Sequence, residues 1–186
     1  MNKSPWIETF TGKKFHLLNP QPEEICIEDI AHALSMIVRF SGHAKEFYSV
    51  AEHSVHVSTI VSSRDALWGL LHDASEAYIS DISRPLKHLT PVGAPYRKIE
   101  ARIMKAISLR FSLVLPIPES VVRVDNLMLW AEKEALMSPL SWDDMPGVIA
   151  PSRHGRSQTI RLDFYGPKFA EKSFLSRYKD LVARPR

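Results

Sequence analysis

The sequence contains a single cysteine, Cys26, in 186 residues, so no disulfide can close within the chain. That fits a reducing cytoplasm, and a lone cysteine of this kind is more often a small packing residue than a nucleophile. Long apolar runs are also missing. The longest, at 30–38, is interrupted by His32 and Ser35 and is too short to span a bilayer. The first residues lack the apolar centre of a secretion signal. These absences predict a soluble, cytoplasmic protein with no membrane partner. Nor does one sign of charge dominate: 24 Lys and Arg face 21 Asp and Glu, a formal net charge of +3. The basic residues are scattered apart from a modest cluster at 177–186. A nucleic-acid binder usually carries a denser basic stripe, so no nucleic-acid partner is expected. No internal repeat or low-complexity segment is present.

What is there fits one globular domain over 1–186, with 45% hydrophobic and 24% charged residues. Residues 6–18 alternate apolar and polar on both sides of Thr11-Gly12, which predicts a short hairpin, and 1–22 read as hairpin and linker. From Ile27 the period changes to that of a helix. The pattern predicts helices over 27 to about 41, 50–61, 64–78, 96–111 and 119–137, with Ser62 and Ser63 capping the third. Residues 79–95 carry Pro85, Pro91, Gly93 and Pro95 and read as a broken connection. The stretch 138–166 is loop-rich, with a short strand expected at 159–164. Residue Trp142 and its loop stand out as a possible lid. A closing helix is expected at 167–183, with Pro167 in its first turn. The expected fold class is all-α with a small N-terminal hairpin.

Polar residues interrupt the apolar faces of three of these helices. His53 shares a face with Val50, Val57 and Ile60. His72 shares one with Trp68 and Leu71, and Asp73 follows it directly. Asp125 falls among Val121, Met128 and Leu129. A single histidine on an apolar face is usually a satisfied core residue, and a single aspartate usually pairs with an arginine. Four such groups on three core helices change the balance. Two imidazoles and two carboxylates suit Mn, Fe, Co, Ni or Zn better than Ca, with Mg a poorer match. Four protein ligands would leave positions for water and a phosphate oxygen, the arrangement of metal-assisted hydrolysis.

Glu76, four residues after His72, projects toward the same place and is a candidate to orient or deprotonate water. Asp81 lies just beyond that helix, as a turn cap or a proton donor. Arg39, Arg84 and Lys87 are candidate anion contacts. Phe40 is a candidate platform for a base or sugar, although core packing is the commoner fate of a phenylalanine. His56, one turn beyond His53, is the competing histidine on its helix.

The strings Ala-Glu-His-Ser (51–54), Leu-His-Asp-Ala-Ser-Glu (71–76), Ser-Asp-Ile-Ser-Arg-Pro-Leu-Lys (80–87) and Val-Asp (124–125) resemble the HD-domain phosphohydrolases. Within that superfamily the chain is similar to short bacterial, phage and prophage proteins related to 5′-deoxynucleotidases. The resemblance covers roughly residues 6–137 and rests on the ordered set His, His-Asp, Asp on separate helices. It implies an HD-domain helical bundle and a divalent metal on His53, His72, Asp73 and Asp125. It implies Glu76 near the nucleophilic water, Asp81 near the leaving group, and Arg39 and Lys87 on phosphate. In the deoxynucleotidases a tryptophan follows the arginine; here Phe40 stands there.

The expected function is therefore a metal-dependent nucleotide phosphohydrolase releasing phosphate from deoxynucleoside monophosphates. The alternative is a triphosphohydrolase on a deoxynucleoside triphosphate such as dATP, which Arg84, His88 and Lys98 near Lys87 would favour. A more distant alternative is a non-catalytic, metal-containing nucleotide-binding protein. A purely structural metal site usually has a closed ligand shell and often cysteines. Relatives implied by the resemblance are often dimers or larger, so a homo-oligomer is expected.

Overall fold

The alternation around Gly12 produces a two-stranded antiparallel hairpin, β1 (Trp6–Glu8) and β2 (Lys14–His16), with Ile7 opposite Phe15. The computed structural model describes residues 5–142 and 160–183. Phe15 is fully buried and stacks on Tyr78, their ring centroids 3.8 Å apart. The hairpin turn is tied to the first helix, α1 (Ile27–Met36), through Asp29. That carboxylate accepts from the Thr11 backbone N–H at 2.7 Å and from the Cys26 thiol at 2.9 Å. Burial and the Asp29 charge push the Cys26 thiol up, so this cysteine braces a turn and is a poor nucleophile.

Helix α2 (Val50–Ile60) is the central element and packs against α1, α7 (Glu119–Leu136) and α8 (Pro167–Val182) as well as α3 (Ala66–Leu71). Ser49 caps it by accepting the Glu52 N–H. Its buried face includes His53 and the small side chains Val50, Ala51, Ser54, Val57 and Ser58, which admit close neighbours. At Gly69 a Cβ would stand 2.9 Å from the Ser58 Cα, so α2 and α3 approach nearly to backbone contact there. The remaining helices are α4 (Glu76–Ile79), α5 (Arg84–Leu89) and α6 (Gly93–Arg110). The architecture is mostly helical with one small sheet. Among the described residues no helix is long and apolar enough to cross a membrane.

Five expectations need correction. Helix α1 ends at Met36, not near residue 41. Ile37 turns to extended backbone, Val38 bridges to Ser49, and a 3-10 turn at Arg39–Gly42 follows. The third helix does not run to 78. It breaks after Leu71, and hydrogen bonds from Ala74 to Leu71, Glu76 to Asp73 and Tyr78 to Ser75 tighten the chain before and through α4. Its N-cap is Asp65, not Ser62 or Ser63. The broken connection at 79–95 contains α5, and α6 begins earlier than expected, at Gly93.

Finally, residues 160–164 are not a strand. The backbone N–H groups of Asp163, Phe164 and Tyr165 are taken by the buried Glu52 carboxylate, at 3.2, 2.8 and 2.8 Å, rather than by a neighbouring strand. Of the expected loop at 138–158, residues 143–158 lie outside the described residues. Trp142 is described: it is buried against Phe40 and Trp130.

Glu52 thus fixes the segment that leads into α8. Glu52→Ala is expected to lower unfolding stability by about 2 kcal/mol, the scale of a few charge-assisted hydrogen bonds partly replaced by water. In hydrogen exchange, the amides of residues 163–165 should lose protection first. Unchanged protection there would contradict the role given to Glu52.

Candidate metal centre

Three elements meet at one point: α2, the turn between α3 and α4, and α7. His53 enters from α2 and is fully buried. Its Nδ1 lies 2.6 Å from Oε1 of Glu132, a fully buried carboxylate on α7. Burial would raise the Glu132 pKa, but Arg39 and His53 outweigh it and hold the carboxyl low. An ionised carboxylate only accepts, so Nδ1 of His53 donates and Nε2 faces inward. His72 is fixed the same way, because its Nδ1 lies 2.8 Å from the Gly69 carbonyl, which also only accepts.

The two Nε2 atoms stand 3.2 Å apart. Around them are Oδ2 of Asp73, 3.2 Å from His72 and 3.7 Å from His53, and Oδ1 of Asp125, 3.2 Å from His53 and 3.9 Å from His72. With both Nδ1 atoms committed as donors, four acceptor atoms point at one another. Such a cluster is tolerable only with positive charge inside it, either protons or a metal ion. The pKa shifts carry this sign. Burial and Arg39 would lower His53, yet Glu132 and Asp125 lift it from 6.5 to about 9. His72 is raised as well, chiefly by Asp73 against the effect of burial. Asp73 is driven far below the carboxylate range, and Asp125 falls to about 2 despite its burial. His53, His72 and Asp73 form a group able to hold a metal ion. The donor set of imidazole nitrogens and carboxylate oxygens fits a first-row divalent ion.

Glu76 is buried beside the cluster, and its Oε2 has no hydrogen-bond partner among the described residues. Burial, then Asp73 and Asp81, push its carboxyl well above the usual range. Asp81 is also raised, by desolvation and by Asp73, over the opposing pull of Arg39. Arg39, Phe40, Glu76, Asp81 and Lys87 line a single cleft of about 760 Å³ with Asp73 and Asp125 at its floor. Phe40 has φ 55° and Ser41 φ 52°, left-handed values that cost a non-glycine residue about 1 kcal/mol each. That strained turn carries Arg39 inward and leaves Phe40 at the wall. Arg39 is held by Glu132, with Nη2 to Oε2 at 2.8 Å.

Each residue predicted for the site therefore comes to the cluster or its cleft. His56 does not: its Nε2 lies 3.7 Å from Glu52 on another side of α2. Arg84 and His88 line the cleft, whereas Lys98 lines neither it nor the smaller cavity beside it. Glu132 was not anticipated. The signal was present, since it falls two turns after Asp125 on the same apolar stripe of α7.

The fold and the site together define a mostly helical protein with a buried histidine–carboxylate cluster open to a cleft. No family model matches the chain. It is 35% identical over 178 residues to the uncharacterized protein YfdR of Escherichia coli K12, covering 95% of each chain. It is 38% identical over 127 residues to an uncharacterized protein of Rhodobacter capsulatus, covering 62% of this chain and 64% of that one. The chain belongs to the family that includes YfdR.

Two predictions follow from the geometry. Glu132→Ala strands a buried imidazole and a buried guanidinium, and is expected to lower stability by about 3–5 kcal/mol. Metal affinity should fall about 10–100-fold, read by metal content after dialysis. Native-like metal retention would contradict this. The second concerns pH. His53 in the metal-free fold has its pKa raised from 6.5 to about 9, so its protonation stabilises that fold fully below 6.5 and fades as pH climbs through about 9. The unfolding midpoint of metal-stripped protein should drop across that window, while metal-loaded protein changes little. A metal-stripped midpoint that rises there would overturn the assignment.

Proposed function

We propose that this chain is a divalent-metal-dependent phosphohydrolase of the HD-domain type, acting on deoxynucleoside 5′-monophosphates and releasing inorganic phosphate. The observation that carries the reading is the placement of Glu76, Asp81, Arg39 and Lys87 around one cleft that Asp73 and Asp125 of the histidine–carboxylate cluster also line. The sequence resemblance to 5′-deoxynucleotidases supplies the substrate class.

His53, His72, Asp73 and Asp125 would hold the metal, with Mn, Co, Zn or Fe the suited ions. When bound, the metal supplies positive charge at the phosphoryl oxygens and makes water more acidic. Arg39, anchored by Glu132, directs its remaining donors toward the phosphate. The Glu76 pKa would be drawn back down from its metal-free value by a divalent cation beside Asp73, so that Glu76 is ionised and accepts a proton from the attacking water. As the new P–O bond forms, the bond from phosphorus to the 5′-oxygen breaks, and Asp81 delivers a proton to that departing oxygen. The raised pKa of Asp81 suits a group that must hold a proton before giving it up. Phe40 and Trp142, with ring centroids 6.1 Å apart, offer an aromatic wall to the sugar and base.

The test is phosphate release by metal-stripped protein with Mn, Co, Zn or Mg added singly, on deoxynucleoside monophosphates, ribonucleoside monophosphates and deoxynucleoside triphosphates. Release from deoxynucleoside monophosphates is expected, and Asp73→Ala should abolish it. Glu76→Gln should lower kcat by about 100-fold or more with metal content unchanged. Metal-loaded, folded protein that releases no phosphate from any monophosphate would contradict the proposal.

A further inference from the structure

The cations that face the cleft are already spoken for. Among the described residues, Arg39, Arg84 and Lys87 are the arginine and lysine side chains lining it. Each has a carboxylate partner: Arg39 with Glu132 at 2.8 Å, Arg84 with Asp125 at 3.5 Å, and Lys87 with Glu100 at 2.6 Å. His88 adds little charge, because desolvation and then Arg97, Lys87 and Arg84 lower its pKa. Two of the three partners belong to the centre itself, since Glu132 orients His53 and Asp125 faces both imidazoles. Glu100 does not. It stands on α6, outside the main cleft, and lines a second cavity of about 340 Å³ that also reaches Asp73 and Asp125.

Lys87 lines both cavities and so sits at their junction. Its position is built rather than incidental. The Arg97 guanidinium donates to the Lys87 backbone carbonyl, and α6 begins at Gly93, where any Cβ would collide with that same carbonyl. The ammonium also lies 5.6 Å from the Tyr96 ring centroid. The close elbow between α5 and α6 thus presents Lys87 to Glu100.

We propose that Glu100 is a specificity-determining residue that limits the negative charge of the substrate, by holding Lys87 paired so that a phosphate monoester is accepted and a polyphosphate chain is disfavoured. This rests on the phosphohydrolase reading above. A monoester dianion is matched by a divalent metal and Arg39. A triphosphate brings further negative charge past the metal; toward Lys87, one of the cations lining the cleft, the Glu100 carboxylate beside it repels that charge in a partly desolvated cavity. Glu100 is the one pairing carboxylate whose removal frees a cation without disturbing the cluster.

The experiment compares inorganic phosphate with tripolyphosphate as ligands of manganese-loaded protein. Binding is read by fluorescence of Trp130 and Trp142, which pack together beside Phe40 at the cleft. Metal content is checked after each titration to exclude chelation. In parallel, kcat/KM is measured on a deoxynucleoside monophosphate and its triphosphate. Glu100→Gln should tighten tripolyphosphate about tenfold relative to phosphate, and raise the triphosphate-to-monophosphate ratio of kcat/KM by a similar factor. Glu100→Asp, which keeps the charge, should stay near wild type. Lys87→Met, which leaves Glu100 bare, should move the ratio the other way and decides the matter if Glu100→Gln does not fold. Equal effects on both ligands, or none, would overturn the proposal. If wild type hydrolyses monophosphates but the ratio does not move, the charge limit fails alone. If the binding ratio moves but no monophosphate is hydrolysed, the charge limit stands and the proposed function fails.

Discussion

Glu132 is a fully buried carboxylate that accepts from His53 with one oxygen and from Arg39 with the other. Most of the site depends on this arrangement. It fixes which nitrogen of His53 faces the cluster, it compensates a buried guanidinium, and it ties α7 to α2 and to the strained turn at Phe40 and Ser41. A buried carboxylate with no partner would be costly; with two cationic or donating partners it becomes the joint of three segments. The cluster is built on the reverse situation. Its inward-facing atoms are all acceptors, and they are stable only around positive charge. Glu132 therefore orients the donors, and the cluster creates a demand for positive charge that a metal ion could meet.

Charge organises the surroundings as well. The fold places Glu76 and Asp81 where burial and Asp73 raise their pKa values, while Asp73 and Asp125, facing the imidazoles, are lowered. In the metal-free fold the carboxylates of one cleft are thus separated into Asp73 and Asp125, which stay ionised, and Glu76 and Asp81, whose affinity for a proton is raised. Such separation is what proton transfer to and from a substrate requires. The cations are distributed with similar economy, each facing the cleft from a carboxylate that restrains it.

Where local pattern alone decides the structure, the sequence was readable. The hairpin, α2, α7 and α8 follow from period, turn chemistry and capping, and Asp125, His53 and His72 were visible as polar intrusions on apolar faces. What escaped depends on partners distant in the chain. Helix α1 stops at Met36 because Val38 bridges to Ser49, a contact that no helical period encodes. Residues 160–164 alternate like a strand, yet the N–H groups of Asp163, Phe164 and Tyr165 go to Glu52, more than a hundred residues earlier. The helix through His72 breaks where the Gly69 carbonyl takes the imidazole. Glu132 was legible in principle, on the stripe that revealed Asp125, but its role appears only when Arg39 and His53 meet it.

The most direct test of the centre is calorimetric titration of metal-stripped protein with Zn or Mn near pH 7, in two buffers of different ionisation enthalpy. Because protons occupy the cluster when metal does not, binding should be saturable at a single equivalent per chain. It should release about one proton or more per metal, and Asp73→Ala should abolish it. Absence of saturable binding, or binding without proton release that Asp73→Ala leaves intact, would contradict a metal held by these side chains.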